Sequence, residues 1–229
     1  MKPSSAVGIT SFLNPSLDAR RVRGLAAMLA IAGLLFVIYP ALRPFSDESS
    51  LEGAAAFASS EWLLSHIIAI FGFILLPLGL WGLQMLLEDS QAKRLMFQSF
   101  VLAMFGTGLI LPFYGAEVFG LYAIGQEALR LQNAELMNIA NDVRFGFGFI
   151  MIVIGLLMLA ISLIMAAISI WRTGILSKTS GIPLALGMLL YLPQYMATQP
   201  LRVTHGAIMT LGCVWLAIEL WNHGQQSGR

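Results

Sequence analysis

Long runs of apolar residues alternate with short polar segments along this chain. Six runs reach, or nearly reach, the length of about 20 residues that an α-helix needs to cross a hydrocarbon core of about 30 Å. The six runs are Gly24–Leu42, Trp62–Leu87, Leu95–Ala116, Phe145–Trp171, Ile182–Pro200 and Val203–Trp221. Because the runs contain only one Asp, Glu, Lys or Arg residue, Glu219 near the end of the sixth run, the pattern predicts six transmembrane helices.

The first run and the last two runs need separate interpretation. The first is longer than the apolar region of about 7–15 residues in a signal peptide, and no small-residue cleavage site follows it directly, so we expect an uncleaved anchor. The fifth and sixth together hold about 40 apolar residues, enough to cross a membrane twice, and Pro200 between them favours a tight hairpin. We therefore expect an all-α polytopic transmembrane bundle of six helices at residues 23–221, with cytoplasmic tails at residues 1–22 and 222–229.

The composition excludes most other classes of protein. Of the 229 residues, 58% are hydrophobic and 11% are charged, whereas an ordinary soluble domain has about 25% charged residues. The net charge of +1 comes without a basic tract and interleaved aromatic residues, so nucleic acid is not an expected partner. The single cysteine, Cys213, excludes a disulfide within the chain. The expected partner is the lipid bilayer.

Lysine and arginine residues are distributed unequally between the two sides that six spans define. The side that holds both chain ends has nine of them and the other side has four. Arg20, Arg21 and Arg23 directly precede the first run, where basic residues have most influence on orientation. Because cytoplasmic loops carry the excess of Lys and Arg, the distribution predicts cytoplasmic N and C termini in the plasma membrane.

Two longer polar segments, Arg43–Glu61 and Glu117–Arg144, are expected on the outer side. The first contains a stretch of helical character at residues 51–58, and the second contains one at residues 127–137. We expect the first to be a short interfacial helix and the second to lie on the membrane surface or to cap the bundle.

Parts of the apolar runs resemble one another, which indicates tandem helix hairpins. Phe71–Leu80 matches Phe147–Leu156 at six of ten positions. The outward ends of the first, third and fifth runs each combine a proline with a tyrosine, in Tyr39-Pro40, Pro112–Tyr114 and Pro193–Tyr195. Unless apolar helices match here by chance, the chain consists of three hairpins in parallel orientation. Proline kinks near the outer leaflet would open a cavity that faces outward, although tyrosines at this depth are also typical of the aromatic belt at a membrane interface.

Ionisable groups inside apolar runs are costly and therefore indicate candidate functional sites. Three such groups, His66, Glu117 and His205, are expected at similar depth toward the outer side. Further polar residues expected near them are Tyr114, Arg144, Tyr195 and Arg202. We treat this set of seven as a candidate ligand-binding site or proton relay.

Three kinds of chemistry suit this set. His66, Glu117 and His205 together have the ligand types of a zinc site, and two histidines on different helices suit the axial positions of a haem. Glu117 beside a histidine suits proton relay in a carrier. No spacing motif for a metal or a nucleophile supports any of them, so we assign no metal and no cofactor. A simpler explanation places the histidines at headgroup level, Glu117 beyond the hydrocarbon, and Arg144 and Arg202 as interfacial anchors or as partners of nearby acids.

The segment Trp171–Lys178, followed by Gly181, resembles the short inward loop of small bacterial multipass membrane proteins of uncharacterised activity. In those proteins a Trp/Arg-x-Gly-x-Leu-Pro-Arg/Lys pattern precedes a glycine-rich helix, and here Ser177 stands where proline is usual. The resemblance implies a bacterial cytoplasmic membrane protein and no particular activity. Within the segment, Gly174 is expected to end the fourth helix.

These observations favour a non-enzymatic membrane protein that packs with itself or with a membrane partner protein and binds a ligand in an outward-facing polar pocket. A small carrier or an ion- or proton-pathway protein is the first alternative. A haem- or metal-dependent membrane enzyme that uses His66, Glu117 and His205 is the second. Whether these three side chains converge separates the alternatives.

Overall fold

The computed structural model describes residues 15–226, which form α-helices joined by short segments. The long helices are α1 (Pro15–Leu42), α3 (Ser60–Leu86), α4 (Lys93–Gly115), α7 (Phe147–Thr173) and α9 (Gln199–Gln226). The shorter helices are α2 (Leu51–Phe57), α5 (Leu121–Leu131), α6 (Asn138–Phe145) and α8 (Ile182–Leu189). No strand occurs among the described residues, and the predicted all-α bundle is confirmed. Of the predicted tails, residues 1–14 and 227–229 lie outside the described residues, and α1 begins within the predicted tail 1–22.

Five helices are long and apolar enough to cross a membrane, as expected for a multi-pass membrane protein. They comprise Ala19–Leu42, Ser60–Leu86, Lys93–Leu131, Phe147–Thr173 and Gln199–Gly224. The third continues from α4 through a π-helical segment, Ala116–Gly120, into α5. Its 39 residues extend about 58 Å, well beyond a hydrocarbon core of about 30 Å. The helix therefore carries α5 past the end of the bundle.

The predicted fifth transmembrane helix, Ile182–Pro200, is not continuous, which corrects the expectation of six uninterrupted spans. α8 ends at Leu189, and a 3₁₀ turn at Pro193–Met196 follows. The α-helical hydrogen bonds of α8 end where the N–H of Tyr191 donates to the carbonyl of Met188, three residues earlier. Pro193 then has no N–H to donate to the carbonyl of Leu189.

Residues 174–198 nevertheless return the chain to the opposite end of the bundle. α7 ends at Gly174, whose φ of 63° lies in the left-handed region that favours glycine, as predicted. The backbone N–H of Ser177 then donates to Glu219 of α9 at 3.4 Å. Further along, the carbonyl oxygen of Gly187 lies 2.7 Å from His205 Nε2, near the start of α9. The interrupted helix thus runs antiparallel to α9 and supplies the remaining pass through the bundle.

Antiparallel neighbours build the bundle. α1 packs between α3 and α9, and α4 packs against α7, so the predicted pairing of the first with the second run and of the third with the fourth is confirmed. The similarity of the three hairpins as a repeat stays a prediction.

Small residues let α4 and α7 approach closely. A β-carbon added to Gly155 would lie 2.7 Å from the carbonyl oxygen of Gly106. Nearby, the hydroxyls of Ser99 and Ser162 each donate to the other residue's carbonyl oxygen at 2.7 Å. Close packing and interhelical hydrogen bonds replace the hydrophobic driving force that a lipid environment does not provide.

The two ends of the bundle differ in charge and in covering. One end, which we call the basic end, collects Arg20, Arg21, Arg23, Lys93, Arg94, Arg172 and Lys178. The other, the capped end, is covered by α2, α5 and α6, which share a small core around Phe57, Trp62 and Leu121. α2 confirms the helix predicted at residues 51–58, and it packs against α5 at this end of the bundle. The helix predicted at 127–137 is interrupted at Gln132, which has a left-handed φ of 52°, and resumes as a 3₁₀ turn at Ala134–Met137.

Candidate functional site

A cavity of about 940 Å³ lies at the capped end, among the ends of α1, α4, α7 and α9. Its charged lining residues are Arg43, Asp47, Glu48, Glu117, Arg144 and Arg202. Its apolar lining includes Phe45, Phe113, Phe145, Phe149, Ile152 and Leu192. The volume lies within the range of about 300–1,000 Å³ that is usual for small-molecule sites. The sequence set of seven is partly assembled here, since Glu117, Arg144, Arg202, His66, Tyr114 and Tyr195 all line the cavity.

Four of the charged side chains form a continuous ion-pair chain, Arg43–Glu48–Arg144–Glu117. The guanidinium of Arg43 donates to Glu48 Oε1 at 2.6 Å, and Glu48 Oε2 accepts from Arg144. Arg144 also donates to both oxygens of Glu117, from Nε at 2.6 Å and from Nη2 at 3.1 Å. The chain ties together the end of α1, the loop before α2, α6 and the π-helical segment. Loss of Arg144 would leave the buried carboxylate of Glu117 without its arginine partner, which is strongly destabilising.

The ion pairs also control the charge state of Glu48, in the loop before α2, and of Arg144, in α6. Burial acts to raise the pKa of Glu48, but the neighbouring Arg144 and Arg43 outweigh burial and hold this pKa below its ordinary value of 4.5. Burial acts to lower the pKa of Arg144, and the carboxylates of Glu117 and Glu48 reverse that effect and raise it. Both side chains are therefore charged at neutral pH.

The π-helical segment that follows Pro112 places Glu117 inside the bundle, beside His66. Glu117 Oε2 lies 3.8 Å from His66 Nε2, and the indole N–H of Trp62 donates to the Glu117 carbonyl oxygen at 2.9 Å. His66 Nδ1 lies 2.8 Å from the carbonyl oxygen of Trp62. Because a carbonyl only accepts, Nδ1 carries the hydrogen and Nε2 faces Glu117. His66 is 1% exposed and Glu117 7%, so both side chains are enclosed by the protein.

The proline–tyrosine ends of the first, third and fifth runs meet next to this pair. The hydroxyl of Tyr114 lies 3.0 Å from that of Tyr195 and 3.3 Å from that of Tyr191. Tyr39 packs edge-on against the Tyr114 ring with 6.1 Å between centroids. Tyr39 and Tyr114 are buried within the protein, so the aromatic-belt explanation is wrong for these two residues.

His205 does not join His66 and Glu117, which overturns the predicted three-ligand set. Its Nε2 is bound to the carbonyl oxygen of Gly187. That carbonyl lacks its helical partner because the N–H of Tyr191 bonds to Met188 instead. His205 therefore satisfies the interrupted helix, a role that a break inside a membrane requires.

The geometry also bears on the metal and haem hypotheses. Within residues 15–226, no group of three or more His, Cys, Asp or Glu side chains is arranged to hold a metal ion. The two histidines face different partners, His66 the carboxylate of Glu117 and His205 the backbone of α8. Neither the zinc set nor the pair of axial haem ligands predicted from the sequence is assembled by this fold.

Arg202 differs from the other two cavity arginines in its partners. Its guanidinium donates to the backbone carbonyl of Ala197 at 2.9 Å and to that of Tyr195. Its guanidinium carbon lies 5.2 Å from the centre of the Phe45 ring, and that of Arg43 lies 4.7 Å from the same ring. Among the residues that the structure describes, the carboxylates of the cavity pair with Arg43 and Arg144, and none pairs with Arg202.

Sequence reasoning missed several of these residues. Arg43 and Glu48 were counted only as loop charges, and Phe45 and Tyr191 were not singled out. The available signal was the position of Arg43, which directly follows the first apolar run and lies between Pro40 and Pro44. An arginine at the end of an apolar run is a candidate for snorkelling to the interface or for an ion pair at the helix end.

Comparison of the chain with protein-family models, with curated proteins and with solved structures finds no match. The function is therefore argued from the cavity and its side chains.

Proposed function

We propose that this protein is a non-enzymatic, multi-pass membrane protein that binds an amphiphilic ligand in the cavity at its capped end. The observation that carries the proposal is the composition of the cavity, which combines charged groups with an extended apolar wall. Part of that wall continues to the outer surface of the bundle, because Phe145, Phe149 and Met196 line the cavity and are also exposed. A molecule with a polar end and an apolar end matches both features and can enter from the lipid.

The proposal includes an orientation in which the capped end faces away from the cytoplasm of a bacterial plasma membrane. Support comes from the concentration of Lys and Arg at the basic end and from the sequence resemblance around Trp171–Lys178. In this orientation the ligand comes from the outer leaflet or from a membrane partner protein on the outer side. Assembly into a homo-oligomer is compatible with the same site.

The carrier alternative has less support. Proton relay through Glu117 requires its carboxylate to gain and lose a proton readily. Both of its oxygens accept hydrogen bonds from Arg144, and a bidentate arginine favours a fixed carboxylate. The pairing supports a binding and positioning role for Glu117.

Native mass spectrometry of the detergent-purified protein tests the proposal by counting bound single-chain amphiphiles. Leu192→Trp places an indole in the cavity wall and is expected to abolish the adduct. Leu190→Trp, two residues earlier at an exposed position outside the cavity lining, is the matched control and should retain it. Equal adducts in both variants and the wild type would contradict the proposal, provided that thermal unfolding shows all three to be folded.

A further inference from the structure

The three arginines and three carboxylates that line the cavity balance in formal charge, but they are not paired evenly. Glu48 and Glu117 are both engaged in the ion-pair chain with Arg43 and Arg144. Asp47 is exposed, and its carboxylate already accepts hydrogen bonds from the backbone N–H and the hydroxyl of Ser49, at 3.1 and 2.6 Å. The pairing of charges leaves the guanidinium of Arg202 as the group that attracts an anion.

Arg202 also has hydrogen-bonding capacity to spare. A guanidinium has five N–H donors, and two of the donors of Arg202 are used by the carbonyls of Ala197 and Tyr195. The remaining donors suit the two oxygens of a phosphate or carboxylate, which arginine binds in a bidentate manner. Phe45, whose ring lies beside this guanidinium, precedes Ser46, whose hydroxyl oxygen is buried in the cavity wall without a partner among the described residues. A second donor is therefore available in the same wall.

Glu48 shows how an anion is held in this cavity. Its two oxygens bridge Arg43 and Arg144, which belong to segments far apart in the chain. Glu48 is only partly buried and is carried by the short loop between α1 and α2. Its carboxylate therefore supplies negative charge from a loop at the edge of the arginine cluster and reduces the attraction of that cluster for a further anion.

We infer that the ligand is an amphiphile with an anionic head group, a phosphate or a carboxylate, which binds Arg202 and the hydroxyl of Ser46. The apolar chain lies along Phe113, Phe149 and Ile152, toward the lipid. This inference rests on the proposed function and adds the charge of the head group and its contacts. A free small anion would leave most of the 940 Å³ volume and its apolar wall unused, which favours an amphiphile over inorganic phosphate.

The test compares two probes that differ only in the phosphate, palmitoyl lysophosphatidic acid and monopalmitoylglycerol, titrated into the detergent-purified full chain. We expect the wild type to bind the anionic probe about tenfold more tightly than the neutral probe, because one charge-assisted hydrogen bond contributes about that much affinity. Arg202→Gln should reduce binding of the anionic probe to the level of the neutral probe. Arg130→Gln, at an exposed arginine of the capped end, is the matched control and should keep the full preference.

Glu48→Gln is a second variant, for which we expect a gain in affinity. A gain cannot be explained by misfolding, as a loss of binding in Arg202→Gln could be. Glu48→Gln should raise the affinity for the anionic probe several-fold and leave the neutral probe unchanged, because it removes a competing negative charge. Equal binding of both probes by the wild type, full preference in Arg202→Gln, or no gain in Glu48→Gln would each overturn the inference. Competition by inorganic phosphate as strong as by the anionic probe would also overturn it, in favour of a small-anion site.

These outcomes are distinct from failure of the proposed function. If both probes bind equally and Leu192→Trp blocks them, the cavity binds amphiphiles and only the charge selectivity is wrong. If neither probe binds the wild type, the proposed function fails as well.

Discussion

Arg144 and Glu117 form a bidentate ion pair in the interior of the capped end, with N···O distances of 2.6 and 3.1 Å. The pair joins α6 to the π-helical segment between α4 and α5, and both side chains are largely removed from solvent. Its contribution is to the positioning of the cap over the cavity. Without Arg144, Glu117 would be an uncompensated buried charge, whereas Arg144 would keep Glu48 as a partner if Glu117 were lost.

We predict that Glu117→Gln lowers the free energy of unfolding by about 3 kcal/mol, the low end of the range for breaking a buried pair, because Arg144 keeps Glu48 as a partner. The measurement is reversible unfolding in mixed detergent micelles. Glu127→Gln removes an acid that pairs with Arg130 in an exposed i, i+3 position and should have a much smaller effect. Similar losses in the two variants would mean that burial of the Arg144–Glu117 pair does not govern stability.

Gly106 and Gly108 lie on different faces of α4, and alanine variants at these positions offer a second comparison of stability. A β-carbon at Gly106 would lie 2.8 Å from the carbonyl oxygen of Gly155, whereas one at Gly108 would meet nothing within 4 Å. Gly106→Ala is expected to destabilise the protein by about 1–3 kcal/mol through overpacking. Gly108→Ala should be neutral or stabilising by about 0.5–1 kcal/mol, because alanine reduces the freedom of the unfolded chain. The same unfolding assay checks both, and a neutral Gly106→Ala would refute the close approach of α4 and α7.

How much of this site the sequence could predict depends on whether a feature is local. Hydropathy located the long helices, because it depends on residue type along one segment. His66 and His205 show the limit. Both are histidines at similar predicted depth, but one faces Glu117 and the other a backbone carbonyl. The rotation of each helix about its axis, which decides this, depends on packing between helices.

The ion pair of Arg43 with Glu48 and the break in the fifth run illustrate the same limit. The sequence showed Pro193 within an apolar run, but not that the carbonyl of Gly187 would lose the N–H of Tyr191 as its helical donor. The group that bonds this carbonyl instead, His205, comes from another helix. Glu48 was indistinguishable from the other acids of its loop, since its contact with Arg144 spans 96 positions in the chain.

The lowered pKa of Glu48 gives a pH dependence of stability. A carboxyl group whose pKa is lower in the folded than in the unfolded state stabilises the fold fully above its unfolded pKa, here about 4.5. That contribution is lost as pH falls through the lower folded pKa, which Arg144 and Arg43 set. Arg144 is also paired with Glu117, which is the other acidic group that faces it. Glu48→Gln should therefore flatten the decline in unfolding free energy below pH 4.5. An unchanged acid profile would show that the charge of Glu48 contributes nothing to stability.

His205 provides a test of the interrupted helix. His205→Phe keeps the ring volume but leaves the carbonyl of Gly187 without a donor, and should cost about 1–3 kcal/mol of unfolding free energy. His205→Gln retains an N–H donor of similar reach and should recover part of the loss. Equal destabilisation by both variants would indicate that the hydrogen bond to Gly187 is not what holds α8 against α9.

The proposed orientation follows from the charge difference between the two ends, and labelling of intact cells tests it directly. In a Cys213→Ser background, which removes the buried native thiol, Ser49→Cys places a thiol at the capped end and Gln91→Cys places one at the basic end, both at exposed positions. A membrane-impermeant maleimide should modify the cysteine at position 49 in intact cells and the one at position 91 only after permeabilisation. The reverse pattern would place the cavity on the cytoplasmic side, and the ligand would then have to come from the inner leaflet.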